Sequence, residues 1–146
     1  MHKLSRRQSE KILQAMKNWS CGNRHIRGMA VVGSWDDEDR AHAEAHLDMV
    51  FVVEEPDRFR SCELWMREID WNAAALGEGR WSDCDAGCGC ARHLSFDDGT
   101  RVEVSFVPRS WAEVDPIDAA TRRIAGNGMR VVHDPDGLLG RLITVL

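Results

Sequence analysis

The order of apolar and polar positions along this 146-residue chain changes period several times, and each change marks an element. Ile12, Ala15, Met16 and Trp19 recur at helical spacing, and Ser5 with Gln8 forms a capping box. Residues 5 to 19 are therefore predicted as an amphipathic helix, ended by Cys21-Gly22-Asn23. Residues 26 to 32 are nearly all apolar, which predicts a strand covered on both faces and central in a sheet. The following DDEDRAHAEA segment has its acids early and few apolar residues, as a short exposed helix or loop would. A second apolar strand covers 47 to 54, and Glu55-Pro56-Asp57 opens a helix whose apolar face holds Phe59, Leu64 and Trp65.

Beyond that helix the pattern weakens. Residues 73 to 79 read as a weak strand, and the Gly- and Cys-rich stretch 82 to 90 reads as a loop. HLSF (93 to 96) and RVEVSFVP (101 to 108) flank Asp97-Asp98-Gly99, a strong turn signal, and so predict a hairpin. A helix near 116 to 125, a strand at 129 to 133 and a helix at 136 to 144 complete the chain. Strands alternating with helices, plus one hairpin, predict an α/β or α+β fold with a mixed sheet flanked by helices. With no repeat, low-complexity tract or linker, residues 1 to 146 are expected to form a single domain.

Composition narrows the classes. Hydrophobic residues make up 43% and charged residues 29%, enough for a core that needs no disulfides. A net charge of −5 argues against a broad nucleic-acid or anionic-membrane surface, so neither is an expected partner. No apolar run approaches the roughly 20 residues of a membrane span and the N-terminus is polar, which predicts a cytoplasmic protein. Five cysteines cannot all pair internally and are expected as thiols. Cys84, Cys88, Cys90 and His93 offer four soft ligands, enough for a closed zinc site, and unligated loop thiols are the competing reading. Trp19, Trp65 and Trp71 fit core faces, whereas Trp35, Trp81 and Trp111 are candidates for base stacking or partner contact, with core packing the competing reading. His42, Glu44, His46 and Asp48 could share a metal, but a solvated polar face explains them as well.

The chemistry concentrates in residues 31 to 53, VVGSWDDEDRAHAEAHLDMVFVV. An apolar strand ends in Gly33-Ser34, where glycine lets the backbone approach a ligand and the next helix can present its amides to a phosphate. The second strand carries one acid, Asp48, and the 101 to 107 strand carries another, Glu103, between valines. Two strand-borne acids near a Gly-Ser turn point to nucleotide and metal chemistry.

This layout resembles the polymerase-beta-like nucleotidyltransferase superfamily, whose pattern is apolar-Gly-Ser, a gap of about a dozen residues, Asp-x-Asp on a strand and a third acid on a later strand. Gly33, Ser34, Asp48 and Glu103 stand in that order, with residues 35 to 45 between Ser34 and position 46. His46 occupies the place of the first acid of the pair. Within the superfamily the chain resembles aminoglycoside 6-adenylyltransferases over roughly residues 24 to 143, ending with the Met-Arg-Val-Val-His-Asp-Pro-Asp-Gly segment. It departs from them at Trp35, where they carry an Arg, and they carry a helical C-terminal domain, whereas this sequence stops at Leu146.

The resemblance implies transfer of a nucleoside monophosphate from an NTP to a hydroxyl acceptor. In that reading Gly33 and Ser34 hold the triphosphate and Asp48 and Glu103 hold Mg²⁺, with His46 as a weaker additional ligand. Glu103 stands nearest the incoming hydroxyl as its base. Two rivals remain open at this stage: a catalytically degenerate nucleotide-binding or interaction module on the same fold, and a zinc-stabilised binding domain. A homodimer is one way to supply the wall that a second domain provides in the family.

Overall fold

The computed structural model describes residues 6–32, 46–60, 62, 64–74, 76–77, 79–86, 89–126 and 128–146. Its elements, in chain order, begin with α1 (Arg6–Cys21), β1 (Ile26–Val32) and β2 (His46–Val53). A 3-10 turn at Pro56–Arg58, the short helix α2 (Leu64–Glu68) and a second 3-10 turn at Trp71–Ala74 lead to β3 (Gly79–Ala86), β4 (Gly89–Phe96) and β5 (Arg101–Val107). A third such turn at Arg109–Ala112, then α3 (Ala119–Gly126), β6 (Met129–His133) and α4 (Leu138–Thr144), close the chain.

The six strands form one mixed sheet in the order β3-β4-β5-β2-β1-β6. β2 and β5 run parallel, and every other neighbouring pair is antiparallel. A parallel pair needs a long crossover, which residues 54 to 100 supply by carrying the chain through α2 and the β3–β4 hairpin. The architecture is the expected α+β one, with a mixed sheet and helices on its faces.

Alternation along the strands sorts side chains onto two faces. One face joins Met29, Val31, Met49, Phe51, Val104 and Phe106 to Ile12, Met16 and Trp19 of α1 and to Phe59, Trp65, Ile69 and Leu76 of the crossover. The Phe59 and Phe106 rings stack there at 4.4 Å. The other face joins Ala30, Val50, Val52 and Val107 to Trp111, Ala125, Leu139 and Leu142. Asp134 anchors α4 from the preceding loop, accepting hydrogen bonds from the Leu139 amide at 3.1 Å and the Gly140 amide at 2.8 Å.

Several sequence-based expectations are corrected. β1 is interior, as its apolar run requires, but it lies one strand from the edge, between β2 and β6. The helix expected after Pro56 breaks into a 3-10 turn and five helical residues, so Leu64 is 69% exposed while Phe59 and Trp65 are buried. Of the described residues in 73 to 79, Ala73 and Ala74 end a 3-10 turn, Leu76 and Gly77 belong to no strand, and Gly79 alone is in a strand, as the first residue of β3. The stretch 82 to 90 is not a loop, because β3 and β4 run through it, and the hairpin expected from 93 onward is longer than its apolar part indicates. The DDEDRAHAEA segment lies outside the described residues. Among the described residues no helix is long and apolar enough to cross a membrane.

Candidate functional site

Asp48 and Glu103 come together through strand register. In the parallel β2–β5 pair Asp48 is the direct partner of Glu103, as Val50 is of Ser105. Their sequence neighbours Leu47, Met49, Val102 and Val104 point into the α1-side core, so alternation turns both carboxylates to the opposite face. There they border a cavity of about 190 Å³ shared with Val32, Ser105, Trp111 and Ile124. Oδ1 of Asp48 is shielded from solvent, whereas the Glu103 side chain is 32% exposed. Both residues are half-buried.

The same transverse row continues across the sheet. Val32 pairs with Asp48 on one side, and on the other Glu103 pairs with His93, which pairs with Ser82. His93 Nδ1 lies 3.9 Å from Glu103 Oε2, and His93 Nε2 lies 3.3 Å from the exposed Cys84 Sγ. Gly33, Ser34, Trp35, His42 and Glu44 fall outside the described residues. Position 46 is on β2 opposite Arg101, two residues before Asp48, and its side chain is likewise outside them.

The zinc expectation fails on parity. Residues 90 and 93 differ by an odd number on one strand, so their side chains leave opposite faces. Cys90 is buried in the α1-side core with its thiol donating to the Pro56 carbonyl at 3.6 Å, while His93 faces Glu103. Burial also pushes the Cys90 thiol up, against the thiolate a metal needs. Cys88 lies outside the described residues, and among those described no group of three or more His, Cys, Asp or Glu is placed to hold a metal.

Arg92 is the important residue that sequence reasoning missed. It is 1% exposed, and its guanidinium donates to Asp83 through Nε at 2.7 Å and Nη2 at 3.0 Å. It also donates to the Cys62 and Phe59 carbonyls and lies 3.9 Å from the Trp81 ring centre and 4.9 Å from that of Trp65. Parity held a signal: Cys90, Leu94 and Phe96 share its face and all three are buried. Trp81 therefore packs on a cation, and Trp111 is buried in the core of the second face while also bordering the cavity. At the β1–α4 end, Arg27 binds Asp136 with both guanidinium arms and holds its carboxyl below the usual carboxylate range.

The mixed six-stranded sheet with helices on its faces is a nucleotidyltransferase-like fold. Among solved structures it is similar to an aminoglycoside 6-adenyltransferase from Bacillus subtilis, with a TM-score of 0.53 and 14% identity over 77% of this chain. The match spans 38% of the adenyltransferase chain, and at that identity it is a likeness of fold. No family model matches the chain. No curated protein matches it.

Proposed function

We propose that the chain is a Mg²⁺-dependent nucleotidyltransferase-like enzyme that moves a nucleoside monophosphate from an NTP to a hydroxyl acceptor. The observation that carries this reading is the direct pairing of Asp48 with Glu103 on adjacent parallel strands, facing a cavity. Two carboxylates are the hard donor set that Mg²⁺ takes when substrate phosphates and water complete its shell. Asp48 and Glu103 would hold the ion, position 46 is a third candidate ligand, and the bound ion would offset charge growing on the phosphate. Gly33 and Ser34, which would hold the triphosphate, come directly after Val32 in the sequence, and Val32 is the β1 partner of Asp48. Glu103, whose side chain is 32% exposed, would accept the proton of an acceptor hydroxyl arriving from solvent.

His46, in place of the family's first acid, favours a second reading, a nucleotide-binding module without turnover. Calorimetry with Mg²⁺ and each NTP tests binding, and pyrophosphate release separates the two readings. We expect wild-type binding and a loss of at least about 10- to 100-fold in Asp48→Ala, since removing even an outer partner of a metal ligand costs that much. Equal affinities in the two proteins would remove Asp48 from the site.

A further inference from the structure

The nucleotide reading leaves Cys84 unused. It stands on β3, the edge strand beyond β4, with its sulfur exposed and 3.3 Å from His93 Nε2. The other ring nitrogen faces Glu103 at 3.9 Å. Thiol, imidazole and carboxylate therefore follow one another across β3, β4 and β5. An imidazole within hydrogen-bond reach of the thiol is the usual companion of a nucleophilic cysteine.

The other described thiols differ in ways that make the comparison testable. Cys90 is buried on the opposite face and Cys62 is half-buried. Cys21 is exposed and has an imidazole of its own, with His133 Nδ1 at 3.4 Å, but it lies beside β6 at the other edge of the sheet. An adduct on Cys21 would stand away from the Asp48–Glu103 cavity, whereas one on Cys84 is separated from Glu103 by a single imidazole.

We propose that Cys84 is a site of thiol–disulfide exchange with small disulfides of the glutathione class, and that the adduct covers the Asp48–Glu103 cavity. Cys84 Sγ attacks one sulfur of the disulfide, a new S–S bond forms and the old one breaks. The departing half is reduced and leaves as a thiol, carrying the proton that Cys84 loses. A tripeptide adduct reaches about 10 Å when extended, enough to pass the imidazole and lie over the cavity mouth. Formation of the adduct is independent of the nucleotide reading; its effect on nucleotide binding rests on that reading.

The full chain is incubated with oxidised glutathione, and each cysteine's rate of modification is mapped by mass spectrometry. Cys84 is expected to react at least about tenfold faster than Cys62 and Cys90, and His93→Gln should slow Cys84 by a similar factor without changing Cys21, a modest effect for loss of an activating base. A Cys90 rate that stays slow is the check that the variant is folded, since that thiol is buried, and the wild-type ranking stands without it. Unmodified Cys84 alongside reacted Cys62 or Cys90 would overturn the site. Calorimetry with Mg²⁺ and ATP should then show binding to the reduced protein, loss in the adduct, recovery with dithiothreitol and no effect of the treatment on Cys84→Ser. Undiminished binding by the adduct overturns the covering role. No binding by the reduced protein overturns the nucleotide reading instead, and the mapped rates still decide Cys84.

Discussion

His133 ends β6 with its imidazole partly withdrawn from water, and this burial chiefly, then the charges of Arg27 and Lys17, lowers its pKa. Asp134 and Asp136 oppose the shift without cancelling it. The unfolded ring titrates near 6.5, so between 6.5 and the lower folded value the unfolded chain binds more protons. Stability is full above 6.5 and falls as pH drops through that window. Thermal melts on the acid side of 6.5 should show a shallower pH dependence in His133→Gln than in wild type; identical slopes would remove the ring as the cause. The Arg27–Asp136 pair titrates further down, around and below the ordinary 3.8 of a carboxyl, which keeps the two effects apart. At this scale the sequence was an uneven guide. Asp48 and Glu103 stood out because an acid within an apolar strand needs a reason, whereas Arg92, one residue before the expected 93 to 96 strand, was passed over until its partners were in place.

Elements followed the same division between local and distant causes. α1, β1, β2, β5 and β6 were legible because each carries its own apolar period, and their boundaries match the expected ones within a few residues. The β3–β4 hairpin was not, since Gly and Asp are poor strand formers and its support comes partly from distant groups, the Phe59 and Cys62 carbonyls that Arg92 reaches in the crossover. Gly89 exposes how tight the β4–β5 pairing is: a Cβ there would meet the Phe106 carbonyl oxygen at 2.0 Å. Relieving a backbone clash means separating β4 from β5. Gly89→Ala is expected to cost at least the upper part of the about 1–3 kcal/mol typical of overpacking, read by urea denaturation. A loss below about 0.5 kcal/mol, the scale of a neutral surface change, would show that the strands are not so closely apposed.

For the molecule as a whole, the parallel β2–β5 pair positions the proposed site, and no local signal specifies a parallel register. The expected class of sheet was right because alternating elements limit the choices, while the direct opposition of Asp48 and Glu103 emerged only with the register. Arg92 has a further consequence at this scale. Its guanidinium ties β4 to Asp83 on β3 and to the Phe59 and Cys62 carbonyls of the crossover, so these segments cannot open one at a time without stranding a buried charge. In native-state hydrogen exchange the β3 amides and those near 59 to 62 should therefore behave as one cooperative unit with a shared opening free energy. Arg92→Met, which deprives Asp83 of its partner at a cost of about 3–5 kcal/mol if the site behaves as fully buried, should bring that unit's exchange forward while α4 and β6 keep theirs. The slowest clock in the hairpin would then be set by one side chain rather than by its strand pairing.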